Sequence, residues 1–305
     1  MRAQDCCRRG RLRYNYGLLQ ARRLRYYNLR MDAASLNLTT KVLGYGRFLF
    51  VELDASRVDS SLLDGLERAA SALENAHDAD GNPGADAMAK GRIQYLRGER
   101  ARLRAGEVED PGVTSSRAAV RLEGNDAEPL SAYERRLRAL VSERGGSVHT
   151  HAGVRKDRSY TSHAMNQFAY ANALAPAPAA RHPIGVFLPQ RKTREWWEMD
   201  WMRRESFFLP RYADDGTVAA EGHAAACTEG IPHLVRRLYH HADGYGLDSG
   251  YDFLGYFEFA EEHAGVFDRV MKRLRDRAQN PEWNYVREGP EWWARRVASP
   301  AALWR

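Results

Sequence analysis

Residues 221–259 read EGHAAACTEGIPHLVRRLYHHADGYGLDSGYDFLGYFEF, and three features in them stand at fixed spacing. His223 lies in an Ala-rich, helix-prone segment that ends at Gly230. Arg236 follows thirteen positions on, inside the strand-like LVRRLYH. GYGLDSG then reads as a hairpin-like return into a second strand, YDFLGYFEF. Alternation puts Leu234, Arg236, Leu238 and His240 on one face of the first strand, and Phe253, Gly255, Phe257 and Phe259 on one face of the second. A guanidinium among apolar side chains is costly unless something anionic or polar meets it. The pattern therefore points to a mostly apolar cavity with one guanidinium, into which a helix-borne His can project. A neutral imidazole so placed is a common ligand for iron. Left to themselves, the same residues also fit a capping His and an edge-strand Arg.

The elements on either side complete a unit. IGVFLPQ at 184–190 reads as a strand, and a helix begins near Arg194-Glu195-Trp196-Trp197 and runs to about Phe208. The insert PRYADDGTVAA separates it from the His223 helix. After strands 234–240 and 251–259, the segment Glu262–Ala278 carries Val266, Phe267, Val270, Met271 and Leu274 on one helical stripe. Trp283–Arg287 supplies the expected last strand. The order over 166–298 is β-α-β-β-α-β, a ferredoxin-like unit.

Upstream the order repeats. VLGYGRFLFVEL at 42–53 alternates and is rich in aromatics, as a strand should be. A helix is predicted over Ser60–His77, ending at the turn signature DADGNPG, followed by a short strand at 92–98. Residues 99–116 are charged and without period, hence an exposed loop. A strand at 117–123 precedes a helix with a capping-box signature at Ser131–Glu134, and SVHTHAGV at 147–154 closes the unit. His149 and His151 share one face of that strand and could ligate a metal. No third ligand is evident nearby in sequence, so they read as ordinary strand residues. The link 172–182, NALAPAPAARH, is an extended connector. The expected class is α+β, with two tandem ferredoxin-like (βαββαβ) repeats, residues 41–165 and 166–305. Such repeats can pack back to back or join into an α+β barrel.

At 305 residues the chain can bury ample core. No apolar run approaches the ~20 residues of a membrane span, and the first residues lack an apolar signal-peptide core, so a cytoplasmic location and no membrane partner are expected. Cys6, Cys7 and Cys227 cannot form a disulfide framework. Cys227 reads as a small buried residue on the His223 helix. The net charge of +6 concentrates in residues 1–30, where nine Arg meet one acidic residue. This basic N-terminal extension, residues 1–40, could bind nucleic acid. A disordered or subunit-wrapping tail fits better, because the rest of the chain is close to neutral, and nucleic acid is not expected as a partner.

Several segments together resemble the chlorite dismutase family of haem b proteins. They are EWWEMD at 195–200, EGH at 221–223, and VRRLYH, GLD and YDFLGYFE between 235 and 258. GVRKDRSY at 153–160 and PEWNY at 281–285 extend the match, which covers roughly residues 150–290. The resemblance implies an α+β barrel with haem b in the C-terminal half, and a homo-oligomer, often a pentamer. It makes His223 the iron ligand and Glu282 the carboxylate that bonds the imidazole. Tyr160, Trp196 and Trp197 would line the cofactor edge or bond its propionates, with Leu238 and Phe257 on the cavity faces. Arg236 would be the catalytic residue, holding an anionic substrate or leaving group near the iron. In chlorite-degrading members, chlorite becomes chloride and O2 through a ferryl species, with hypochlorite retained by the Arg. Coproheme decarboxylases share the fold but generally lack that Arg. Two features depart from the pattern. The insert at 209–220 interrupts a helix that the family usually runs continuously. Gly255 stands where chlorite-degrading members have a Thr, which would enlarge the pocket. Three readings follow: a chlorite-converting haem enzyme, a haem enzyme repurposed for a larger organic substrate in biosynthesis, and a non-catalytic haem-binding protein.

Overall fold

The computed structural model describes residues 41–104, 107–156, 173–246 and 250–305; the basic N-terminal extension and Tyr160 lie outside them. The first half runs β1 (Val42–Glu52), α1 (Ser60–Ala70), β2 (Glu74–Asn75), α2 (Ala85–Lys90), β3 (Arg92–Arg102), α3 (Pro111–Thr114), β4 (Ala118–Gly124), α4 (Ala127–Ser142) and β5 (Ser147–Lys156). The second runs β6 (Ile184–Lys192), α5 (Arg194–Glu198), α6 (Trp201–Ser206), β7 (Arg211–Tyr212), β8 (Val218–Ala220), α7 (Gly222–Cys227), β9 (Val235–His240), β10 (Phe253–Phe259), α8 (Ala264–Arg275), β11 (Val286–Glu288) and β12 (Glu291–Val297).

The strands pair in the order β5-β1-β4-β3 in the first half and β9-β10-β6-β12 in the second, which is the ferredoxin-like order twice over. Two seams join the halves. β12 runs antiparallel to β3 from Glu291↔Arg102 to Val297↔Tyr95, and β5 meets β9 at Val154↔His240. With β10 also pairing β6, the sheet closes on itself as a barrel, with no long edge left unpaired among the described residues. The α+β barrel is therefore the arrangement adopted.

The period of two sorts the side chains into layers. Phe48, Phe50, Phe187, Tyr239, Tyr256 and Trp292 point inward and fill the barrel. Leu49 and Val51 point outward onto Leu62, Leu66, Leu137 and Val141 of α1 and α4. Ile184, Val186, Leu188 and Phe259 point outward onto the stripe Val266, Phe267, Val270, Met271 and Leu274 of α8, as the sequence predicts. The interior also buries charge. Arg121 donates to the Tyr239 hydroxyl (2.6 Å), and that hydroxyl donates to Glu123 (3.0 Å), which also accepts from Arg92 (3.0 Å). Burial alone would raise the Glu123 pKa, but Arg121, Arg237 and Arg92 hold it down at about 2. Burial pushes the Tyr239 phenol up to about 12. Gly46 makes room for that ring, since a Cβ there would lie 2.2 Å from it.

Several sequence expectations are corrected. The first helix ends at Ala70, not His77. β3 and α3 occupy much of the expected loop at 99–116. Asp126, not Ser131, caps α4; Glu134 sits inside that helix and takes Arg47, Arg138 and Thr150 instead. The helix expected from Arg194 to Phe208 breaks at Met199, whose extended ψ of 149° precedes a new cap at Asp200. The last barrel strand is Glu291–Val297; Pro281–Tyr285 forms a 3-10 turn because Pro281 favours a helical start. His149 and His151 do have a third group beside them, Asp110, brought from the chain just before α3.

Candidate functional site

The insert at 209–220 forms the β7–β8 hairpin, which pairs Arg211 with Ala220 and brings the chain back to where it left. The first free N–H groups of α7 are met by the end of α6: His223 N donates to Phe207 O (3.1 Å) and Ala224 N to Phe208 O (3.0 Å). Helix starts leave such donors unsatisfied within the helix itself. Gly222 permits this junction. Its φ is +74°, and a Cβ there would lie 2.5 Å from the Leu209 carbonyl oxygen.

So seated, the His223 ring is fixed at Nδ1, which lies 2.7 Å from Glu282 Oε2. Lys192 donates to the other oxygen of Glu282, and both residues are almost wholly buried. Lys192 Nζ also stands 4.1 Å over the Trp196 ring. Burial would raise the Glu282 pKa, but Lys192 and then His223 hold it down at about 2. Burial opposes a charged imidazole; Cys227 and Glu282 outweigh it and hold His223 up at about 9. Cys227, one turn along α7, is itself lowered, chiefly by His223 against the effect of burial.

His223 and Arg236 line one cavity, the first from α7 and the second from β9. Its walls are Leu188, Leu234, Leu238, Phe257, Phe267, Val270, Met271, Leu274 and Trp283, with Gln190, Cys227 and Gly255. The empty space among them is about 500 Å³, counting the part open to solvent. The alternating faces read from the sequence thus converge here, Leu234, Arg236 and Leu238 from one strand and Gly255 and Phe257 from the next. Gly255 also has a backbone reason. It pairs with Leu188, and a Cβ would lie 2.9 Å from that residue's carbonyl oxygen.

The two tryptophans lie beside the cavity rather than among these lining residues. Trp196 is fully buried against Phe207, Phe208 and Tyr285, and its Nε1 has no acceptor among the described residues. Trp197 stacks on Tyr245 at 4.6 Å and donates to Asp252 (3.2 Å). Tyr239 and His240 have structural places: the first in the interior network, the second 2.8 Å from the Tyr245 hydroxyl. Sequence reasoning missed Lys192 and the contact of Cys227 with His223. The latter carries a signal, since positions four apart share a helix face. Nothing local announces Lys192, ninety positions from Glu282.

No protein-family model and no curated protein sequence matches the chain. Solved structures do. Chlorite dismutase from Candidatus Nitrospira defluvii in complex with imidazole superposes with a TM-score of 0.54, over 86% of this chain and 94% of its own, at 18% identity. A variant of that enzyme in complex with cyanide gives 0.53, over 85% and 93%, at 16% identity. A doubly substituted variant gives 0.56 over the same shares, again at 16%. The chain has the chlorite dismutase fold. Its barrel, closed by two ferredoxin-like halves, is the one those structures share. No helix among the described residues is long and apolar enough to cross a membrane.

Proposed function

We propose that the His223–Arg236 cavity holds haem b, with His223 as the iron ligand, and that the chain is a haem-dependent oxidoreductase acting on a small anion. The observation that carries this reading is the shared cavity: an imidazole locked through Nδ1 by a buried carboxylate and a guanidinium, set in apolar walls. The donor set fits the group. With Nδ1 committed to Glu282, a metal would take the other ring nitrogen in place of its proton and its Cys227 contact, and the hydrogen bond to Glu282 raises that nitrogen's basicity. The Leu, Phe and Met side chains suit the faces of a porphyrin. The Trp196 Nε1 is a buried donor with no acceptor among the described residues, but Trp196 does not line the cavity, so its role as a propionate partner rests on the resemblance alone. Tyr160 belongs to the same reading.

When bound, haem would supply the redox chemistry that breaks a chlorine–oxygen bond. The residues do the rest. Arg236 keeps its charge at any working pH and binds an oxyanion through paired N–H groups. The walls are largely apolar, so that attraction is less screened than it would be in solution. Glu282, held ionised by Lys192, fixes the imidazole. Chlorite is the substrate we favour, since it fits a single guanidinium and gives the similar structures their name. Gly255 lines the cavity, as a larger organic substrate would favour, but the Leu188 carbonyl gives it a second, backbone reason. We place the protein in the cytoplasm as a homo-oligomer. The exposed side chains of Trp201, Met202, Leu209, Tyr212 and Val218, on α6 and the hairpin beside it, offer an apolar face for self-association.

The test is oxygen evolution on adding chlorite to the haem-loaded protein at an oxygen electrode. Stoichiometric O2, lost or much slowed in Arg236→Ala, is the expected result. A haem-loaded protein that releases no O2 would remove chlorite as substrate. Equal rates with and without Arg236 would remove that residue from the reaction.

A further inference from the structure

Asp110, His149 and His151 meet at one end of the barrel interior, on the face of the sheet away from the His223 cavity. The period of two puts both histidines on the inner face of β5. Their Nε2 atoms are 3.1 Å apart. Asp110 precedes α3, where an Asp ordinarily caps the helix, yet its side chain makes no cap. It turns instead to the imidazoles, with Oδ1 3.1 Å from His149 Nε2 and Oδ2 2.8 Å from His151 Nε2.

Protons alone cannot satisfy this arrangement. With an ionised carboxylate, as an Asp has near neutral pH, each contact to Asp110 needs an N–H on that histidine. If both Nε2 atoms carry hydrogen, the contact between them sets donor against donor. If one is bare, its lone pair faces the carboxylate. A cation between the three groups satisfies every contact at once, because all present lone pairs to it. The spacing is close to what a metal needs: bonds of about 2.0–2.1 Å place neighbouring ligands about 2.9–3.4 Å apart in octahedral or tetrahedral geometry, and the three contacts run from 2.8 to 3.1 Å.

The surroundings hold the ligands in place. The Tyr251 hydroxyl donates to Asp110 Oδ2 (3.2 Å). The His151 ring stacks on Phe187 and touches the edges of Phe50 and Tyr251. Gly112 makes room for His149, since a Cβ there would lie 2.4 Å from its ring. Metal ligands are usually oriented by such outer partners. The three ligating atoms fall within 4.8 Å of one another.

We propose that Asp110, His149 and His151 bind one divalent first-row transition-metal ion, independently of the haem cavity. Two imidazoles and a carboxylate suit zinc, iron, cobalt or nickel better than magnesium or calcium. Three protein ligands leave coordination positions over, and the partly exposed His149 side gives water or a small anion access to them.

The test uses the full, untagged, haem-free chain, titrated with Zn2+ by calorimetry and with Co2+ by visible absorption. One ion per chain is expected, with cobalt d–d bands in the visible. Affinity should fall about tenfold or more in Asp110→Asn, His149→Ala and His151→Ala, and about tenfold in Tyr251→Phe. His223→Ala and Cys227→Ser should bind as wild type does, which separates this site from the haem cavity. Circular dichroism and thermal unfolding confirm that each variant is folded, and Asp110→Asn keeps the side-chain shape. No uptake by the wild-type chain at millimolar metal overturns the proposal outright. So does binding that survives His149→Ala and His151→Ala, or that disappears in His223→Ala.

Discussion

Replacing Glu282 by Gln removes one charge from a buried cluster and leaves its shape. The carboxylate is 4% exposed and its partner Lys192 7%. In the variant, the amide N–H2 faces the Lys192 ammonium, donor against donor, or the amide oxygen serves Lys192 and deserts His223. Breaking a buried ion pair from one side costs about 3–5 kcal/mol. The Trp196 ring lies under Lys192 before and after the change, so its contribution cancels. A loss of about 3–5 kcal/mol follows, which for a chain of this size lowers Tm by on the order of 10 °C. Urea and thermal unfolding of the haem-free protein measure it. Removing the stranded ammonium as well, in Lys192→Met/Glu282→Gln, should recover at least half of the loss, as a double-mutant cycle would register. If Glu282→Gln unfolds within about 1 °C of wild type, the cluster is not a coupled buried network. If the double variant is the sum of the two singles, Lys192 and Glu282 do not depend on each other.

Gly222→Ala strains a backbone at φ +74° and presses a methyl on the Leu209 carbonyl, so stability should drop by about 1–3 kcal/mol and haem binding should weaken with it. Unchanged haem affinity would mean that the α6–α7 junction does not seat His223. Gly255→Thr meets the Leu188 carbonyl and should cost about 1–3 kcal/mol in urea unfolding; a neutral result would reopen the spare-volume reading. Tyr239→Phe leaves Arg121 and Glu123 each short of a partner and should cost about 1–3 kcal/mol, with catalysis little altered because the ring lies inside the barrel. Glu123 gives a pH dependence of known sign. Its pKa of about 2 lies below the ordinary value of about 4.3. Its stabilisation is therefore present above about pH 4.3 and lost as pH falls through 2, a span worth about 3 kcal/mol. The stability gap between wild type and Glu123→Gln should narrow from pH 5 to pH 2; a constant gap would contradict the assignment.

What the sequence reveals here depends on distance along the chain. The faces of β9 and β10 and the stripe of α8 are legible because each is set by a local period, and burial then acts on all its members together. The barrel is not legible from pattern alone. Its closure rests on seams such as Trp292↔Ala101, between residues far apart in sequence, and back-to-back packing would show the same alternation. The last strand escapes because Trp283 and Tyr285 read as strand formers, while Pro281 imposes a turn and the real strand begins at Glu291. His223 and Arg236 are found together through alternation and spacing. Glu282 comes only through the resemblance, and Lys192, Asp110 and the Gly222 junction only through the fold, since no local rule links them to their partners.

Haemin titration of the wild-type chain and of His223→Ala, followed by Soret absorbance, tests the central claim most directly. The account predicts saturable one-to-one binding to the wild type with a histidine-ligated spectrum, and loss of stable binding in the variant. A variant that takes up haem with the wild-type Soret band and affinity would show that His223 is not the ligand. A wild-type chain that binds no haem would contradict the assignment of the cavity itself.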